Sequence, residues 1–148
     1  MKSKKEKIEN PYTYLENAKE ILRNKAKKDG EFYTYKKYVK LAGHVGWTGV
    51  LLALDYLMEK HNVKIKGRKD INDYRTFVAQ RNRKMLNYLN SAYEYLYLFM
   101  GYDGNLDVFT SKHGLELAQK IIDWVATQVE FEINEIKKRK NRKSLYLS

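Results

Sequence analysis

Apolar residues recur at helical spacing along most of this chain. Leu15, Ala18, Leu22 and Ala26 fall three or four apart, which predicts an amphipathic helix. Pro11 suits its first position, where a missing N–H costs nothing, and Asn10 is placed to cap it. Lys27, Lys28, Asp29 and Gly30 then supply a cationic last turn and a break. A second helix is expected from about Phe32 to Lys60. Its small residues Ala42, Gly46, Gly49 and Ala53 are spaced four, three and four apart, so they lie within about 60° of one another and form a close-packing face. Tyr38, Leu41, Val45, Leu52 and Tyr56 flank that face on one side, and Trp47, Val50, Leu54 and Leu57 on the other. Each mid-helix glycine costs about 1 kcal/mol relative to alanine. With Gly43 also in the helix, a close contact must offset the loss.

His61 to Lys69 lacks apolar periodicity, contains Gly67 and is mostly basic, so it reads as an exposed connection. Asp70 is expected to cap a new helix, with Asp73 in its first turn at the positive end of the dipole, and that segment breaks near Gln80 to Asn82. From Arg83 onward, Met85, Leu89, Ala92, Leu96 and Phe99 repeat at four, three, four and three, a core stripe edged by Tyr88, Tyr93, Tyr95 and Tyr97. Gly101 to Asn105 ends it. A final helix starts between Asp107 and Ser111, with Leu115, Ala118, Ile122, Val125, Val129 and Ile136 facing inward. No strand, internal repeat or low-complexity block stands out. Short links between four long helices, with a candidate short one before the last two, predict an all-α, up-and-down four-helix bundle. The expected boundaries are a basic tail at 1–10, one helical domain at 11–136 and a second basic tail at 137–148.

A chain of 148 residues, 43% hydrophobic and 32% charged with a single proline, fits one mostly helical domain. The absence of cysteine excludes a disulfide framework and thiolate metal sites. The longest apolar stretch, Val45 to Leu54, is interrupted by Thr48 and falls short of the ~20 residues that cross a bilayer. Lysine-rich Met1 to Asn10 leads into Pro11, Tyr12, Thr13 and Tyr14 instead of an apolar segment, so the expectation is a cytoplasmic protein with no membrane role. The formal charge of +11 is carried largely by the tails. Within the body, residues 60–84 are strongly basic and residues 85–136 are acidic, a polarity that a solvated face commonly shows.

Candidate chemistry is sparse. His44, His61 and His113 show no metal-binding spacing, and the chain has no Glu-x-x-His pair of the kind that helical di-metal sites use. Asp55 lies eleven residues beyond His44, about 16 Å along a helix axis, too far for a catalytic pair. The Gly101 to Asn105 loop lacks the lysine and hydroxyl of a phosphate loop and the oxygen series of a calcium loop. No cofactor or metal is therefore expected. The best candidate phosphate-contacting set is Lys64, Lys66, Arg68, Lys69, Arg81, Arg83 and Lys84, acting through sequence-independent electrostatics. The thirteen tyrosines suit the boundary between core and solvent, and interleaved with cations they can also stack on nucleotides.

Three stretches carry a resemblance: Lys37-Tyr38-Val39-Lys40-Leu41-Ala42-Gly43-His44, Trp47-Thr48-Gly49-Val50-Leu51-Leu52-Ala53-Leu54-Asp55, and Met100-Gly101-Tyr102-Asp103-Gly104-Asn105-Leu106. Over residues 12 to about 128 the chain resembles a small bacterial family known as a domain of unknown function. The resemblance implies a helical bundle similar to HEPN domains, which occur beside nucleotidyltransferases and among RNA-cleaving toxins. Those toxins use Arg, four to six intervening residues and His on one helix; no histidine here follows an arginine at that distance. It also marks His44, Trp47, Tyr102, Asp103 and Asn105 as a candidate surface. The expected function is a non-enzymatic interaction module that binds another protein or a second copy. The alternative is a nucleic-acid or nucleotide-associated domain using the basic patch.

Overall fold

The computed structural model describes residues 10–131; Ile136 and the segments 1–9 and 137–148 lie outside the described residues. Helix α1 spans Pro11–Ile21 and continues as one π-helical turn, Leu22–Ala26. Asn10, assigned above to the tail, is buried and caps it: its side chain accepts from the Tyr12 N–H at 2.9 Å. Lys27 and Gly30, both at positive φ, bracket the first of two short antiparallel strands, β1 (Lys28–Asp29) and β2 (Phe32–Tyr33). The Tyr33 N–H donates to the Leu106 carbonyl at 2.8 Å and the Val108 N–H to the Glu31 carbonyl at 3.0 Å, which fastens the hairpin to residues 106–108, far along the chain.

These strands correct two expectations, that no strand forms and that the second helix begins near Phe32. The amides of Thr34 and Tyr35 donate back to the Ala26 carbonyl. Residues 28–35 thus meet their backbone requirement with partners outside a helix, and α2 spans Lys36–Lys60. It ends in a Schellman turn: Asn62, at φ 57, donates to the Glu59 carbonyl at 3.0 Å, and Val63 donates to the Met58 carbonyl at 2.9 Å. Helix α2 has the length and hydropathy of a membrane-crossing helix, yet 56% of that window is buried inside the protein. Ala42, Gly46, Gly49 and Ala53 are all buried.

The connection after α2 is extended. Val63 and Ile65 are half-buried against the core while Lys64 and Lys66 face outward; this is a period of two where no periodicity was expected. Helix α3 (Ile71–Ala79) opens with a reciprocal box, in which the Asp70 carboxylate accepts from the Asp73 N–H at 3.1 Å and the Asp73 carboxylate from the Asp70 N–H at 2.8 Å. Helix α4 (Arg83–Ala92), capped by Asn82, runs directly into a π-helical segment, Tyr93–Tyr102. Wider i→i+5 turns bring Met100 and Gly101 into the core and leave Phe99 half-buried, which corrects the expected stripe.

Helix α5 (Val108–Ala126) is capped by Asp107, whose carboxylate accepts from the Phe109 N–H at 3.1 Å. It ends at Ala126, before Val129, contrary to expectation. The Thr127 hydroxyl donates to the Trp124 carbonyl at 2.7 Å, competing with the helix, and Lys60 donates to the Gln128 carbonyl. Phe131 then folds back and is buried, its ring 6.1 Å from that of Tyr12 and 5.6 Å from that of Tyr56. The described protein is mostly helical, with five helices and one two-stranded sheet. Helix α2 lies at its centre, in contact with α1, the π-helical segment and α5.

Candidate functional site

Helix α2 and the π-helical segment approach each other closely at Gly43. A Cβ added at Gly43 would lie 2.5 Å from the Leu96 carbonyl oxygen and 2.7 Å from the Gly101 nitrogen. The other glycines of the small face are less constrained: Gly46 faces the side-chain tips of Leu115 and Leu96 at 3.3 Å, and Gly49 lies against Tyr14 and the Pro11 carbonyl of α1. The Gly43 contact draws the next turn of α2 over the tyrosines of the segment. His44 covers Gly101 and meets the Tyr97 ring edge-on at 6.1 Å. Trp47, which is buried, lies 5.7 Å from the Tyr93 ring and 6.4 Å from that of Tyr97.

Tyr93 and Tyr97 are stacked, with centroids 5.2 Å apart and planes 11° from parallel. The Arg75 guanidinium of α3 sits 5.3 Å from the Tyr93 ring and is held by Asn90 at 2.8 Å. These rings form one wall of a groove of about 550 Å³, whose opposite rim is the loop bearing Arg68 and Lys69. Tyr74 lines it too. Burial first, then its hydrogen bond to Asp55 at 2.9 Å, hold the Tyr74 hydroxyl well above the ordinary tyrosine range. Lys69 pairs with Asp55 at 3.0 Å, while Arg68 is exposed and makes no ion pair with the described residues.

The expected sites are therefore partly gathered and partly scattered. His44 and Trp47 meet at the groove's aromatic wall. Tyr102, Asp103 and Asn105 form the turn beyond it and are exposed. There Gly104, at φ +63, packs on Lys36, and the Asn105 side chain accepts from the Asp107 N–H at 2.9 Å. Of the cationic set, Arg68 and Lys69 reach the groove, while Lys64 and Lys66 are exposed earlier on the same connection. Arg81 is committed to closing α3: it donates to the Phe77 carbonyl at 3.1 Å and lies 3.9 Å from the Phe77 ring. Arg83 and Lys84 begin α4, beyond the nine residues of α3, about 14 Å of helix from the groove rim. The seven do not form one patch. The tyrosine stack and Arg75 escaped the sequence reading, although the four-residue spacing of Tyr93 and Tyr97 was visible in it.

Among the described residues no group of three or more His, Asp or Glu is placed to hold a metal ion. The carboxylates nearest the groove are engaged, Asp55 with Tyr74 and Lys69, and Asp70 in the helix cap. A second and larger groove, about 730 Å³, lies where α1, the hairpin and α5 meet.

A family model described as a domain of unknown function, DUF5618, matches residues 6–127. The solved structure of a protein of unknown function from Dyadobacter fermentans is similar to this chain, with 42% identity and a TM-score of 0.73, covering 82% of this chain and 93% of that one. No curated protein matches.

Proposed function

Because the chain belongs to the DUF5618 family, whose description carries no activity, we propose its function from the groove: a non-enzymatic module that binds single-stranded nucleic acid. The observation behind this reading is the Tyr97–Tyr93–Arg75 stack, closed by Trp47 and facing the unpaired Arg68. A base stacks on the exposed Tyr97 side of the wall, and the adjoining phosphates meet Arg68, Lys69, Lys64 and Lys66. Stacking of this kind contributes about 1–3 kcal/mol per base, and the phosphate contacts make affinity fall with salt. As part of the same reading, α1, α2, α4 with its π-helical segment, and α5 form an up-and-down four-helix bundle of HEPN type. The packing of α1 on α2, α2 on the segment, and α4 on α5 supports it.

The test is titration of a Trp124→Phe protein with a short oligonucleotide, following Trp47 emission. Saturable quenching is expected, with affinity dropping steeply from low to physiological salt and about tenfold or more in Tyr97→Ala or Arg68→Ala. Binding that neither substitution weakens would overturn the reading.

A second reading, association with a protein or a second copy, is favoured by one observation. Among the described residues, Phe32, Tyr35, Leu41, Tyr102 and Phe109 are the exposed large hydrophobics besides Tyr97, and all belong to the start of α2, the hairpin or the stretch of chain around the start of α5. Sedimentation should then show a dimer that Phe32→Ser and Phe109→Ser dissociate; a monomer at all concentrations would remove the second-copy version.

A further inference from the structure

The larger groove has a different composition from the first. Its floor is apolar and buried, formed by Leu22 in the π-helical turn after α1, Leu115 in α5 and the ring of Tyr33 in β2. Burial holds the Tyr33 hydroxyl above its ordinary range, so it stays protonated at neutral pH. Around this floor stand five cations, Lys19, Arg23, Lys28, Lys112 and Lys120, against one carboxylate, Glu116. Two of the five are occupied: Lys19 pairs with Glu16 at 3.5 Å, and Lys120 lies 5.2 Å from the Tyr88 ring. Arg23, Lys28 and Lys112 are exposed and make no ion pair with the described residues.

Three separate elements supply these three cations: the turn after α1, the hairpin and α5. Their convergence is therefore a product of the fold and not of a local charge run. A volume of about 730 Å³ is in the range that holds a small ligand. Three uncommitted cations suit a dianion better than a carboxylate, and a phosphate monoester carries about −1.5 to −2 at neutral pH. Most of the floor is aliphatic, and its one aromatic ring, that of Tyr33, is largely buried. We infer that this groove binds a phosphate monoester of an aliphatic alcohol, with the chain on Leu22 and Leu115 and the phosphate among Arg23, Lys28 and Lys112. The site is independent of the aromatic groove and of the nucleic-acid reading.

Calorimetric titration of the full chain with octyl phosphate, inorganic phosphate, octanoate and a nucleoside monophosphate tests it. Octyl phosphate should bind at least about tenfold more tightly than the other three, a gap of about 1.4 kcal/mol or more. Arg23→Ala and Lys112→Ala, both at exposed positions, should each weaken it by about fivefold or more, and Tyr97→Ala should leave it unchanged. Octyl phosphate binding no better than inorganic phosphate would overturn the aliphatic floor, and binding no better than octanoate would overturn the dianion preference. A tighter nucleoside monophosphate would replace the aliphatic ester with a nucleotide, and insensitivity to both cation substitutions would overturn the site itself.

Discussion

Gly43 has backbone and the Met100 Cβ on its far side, with no flexible side-chain tip among them. The Leu96 carbonyl and Gly101 amide that a new methyl would strike at 2.5 and 2.7 Å cannot rotate away as a leucine tip does. Gly43→Ala is therefore expected to destabilise by about 1–3 kcal/mol by overpacking, despite the helix preference of about 1 kcal/mol that alanine brings. Gly46→Ala meets only the leucine methyls at 3.3 Å and should stay within about 1 kcal/mol of the wild type. Urea denaturation of the two variants compares them directly, and a Gly43→Ala protein as stable as the wild type would refute the close approach. The cost of these glycines is legible in the sequence because propensity belongs to the residue. Which glycine meets a backbone is not, since that depends on the path of another helix.

At the scale of elements, the cap of α3 ties local chemistry to the groove. Asp70 and Asp73 satisfy each other's amides, and Asp70 adjoins the Arg68–Lys69 rim. Asp70→Ala should cost about 0.5–2 kcal/mol, and hydrogen exchange should quicken first in the opening turn of α3; unchanged exchange there would show the box to be dispensable. Asn10, Asp70 and the Asp107–Ser111 start of α5 were readable because caps are written in one or two residues. The hairpin was not, since strands of two residues have no period to detect and are set by Leu106, Glu31 and Ala26. Nor was the π-helical segment, because i→i+5 bonding leaves no mark on residue choice; the stripe therefore pointed to Phe99 where the fold buries Met100. The aromatic wall of the groove depends on that shift, which is why its members were visible singly but not as a site.

Across the whole molecule, two tyrosine hydroxyls, on the half-buried Tyr12 and the buried Tyr74, pin helices to one another. Tyr12 of α1 donates to Asp123 of α5 at 2.5 Å, and Tyr74 of α3 donates to Asp55 of α2 at 2.9 Å. Burial and the partner carboxylate raise both above the ordinary 10.0. A proton held more tightly by the folded chain than by the unfolded one contributes stability that is complete below that value and is lost as pH rises through the folded range. Stability measured by denaturation should thus decline from about pH 9 to about pH 11. Tyr12→Phe with Tyr74→Phe should begin lower and decline less; an equal slope in the double variant would remove these contacts from the account. The π-helical segment also changes what a genetic lesion means here. Losing one codon between 93 and 102 would let the remaining residues close as an ordinary α-helix and turn everything on one side of the deletion by about 100°. That would part Trp47 from the Tyr93–Arg75 pair without altering any of the three, a rotation of the reading frame of contacts that no point substitution can reproduce.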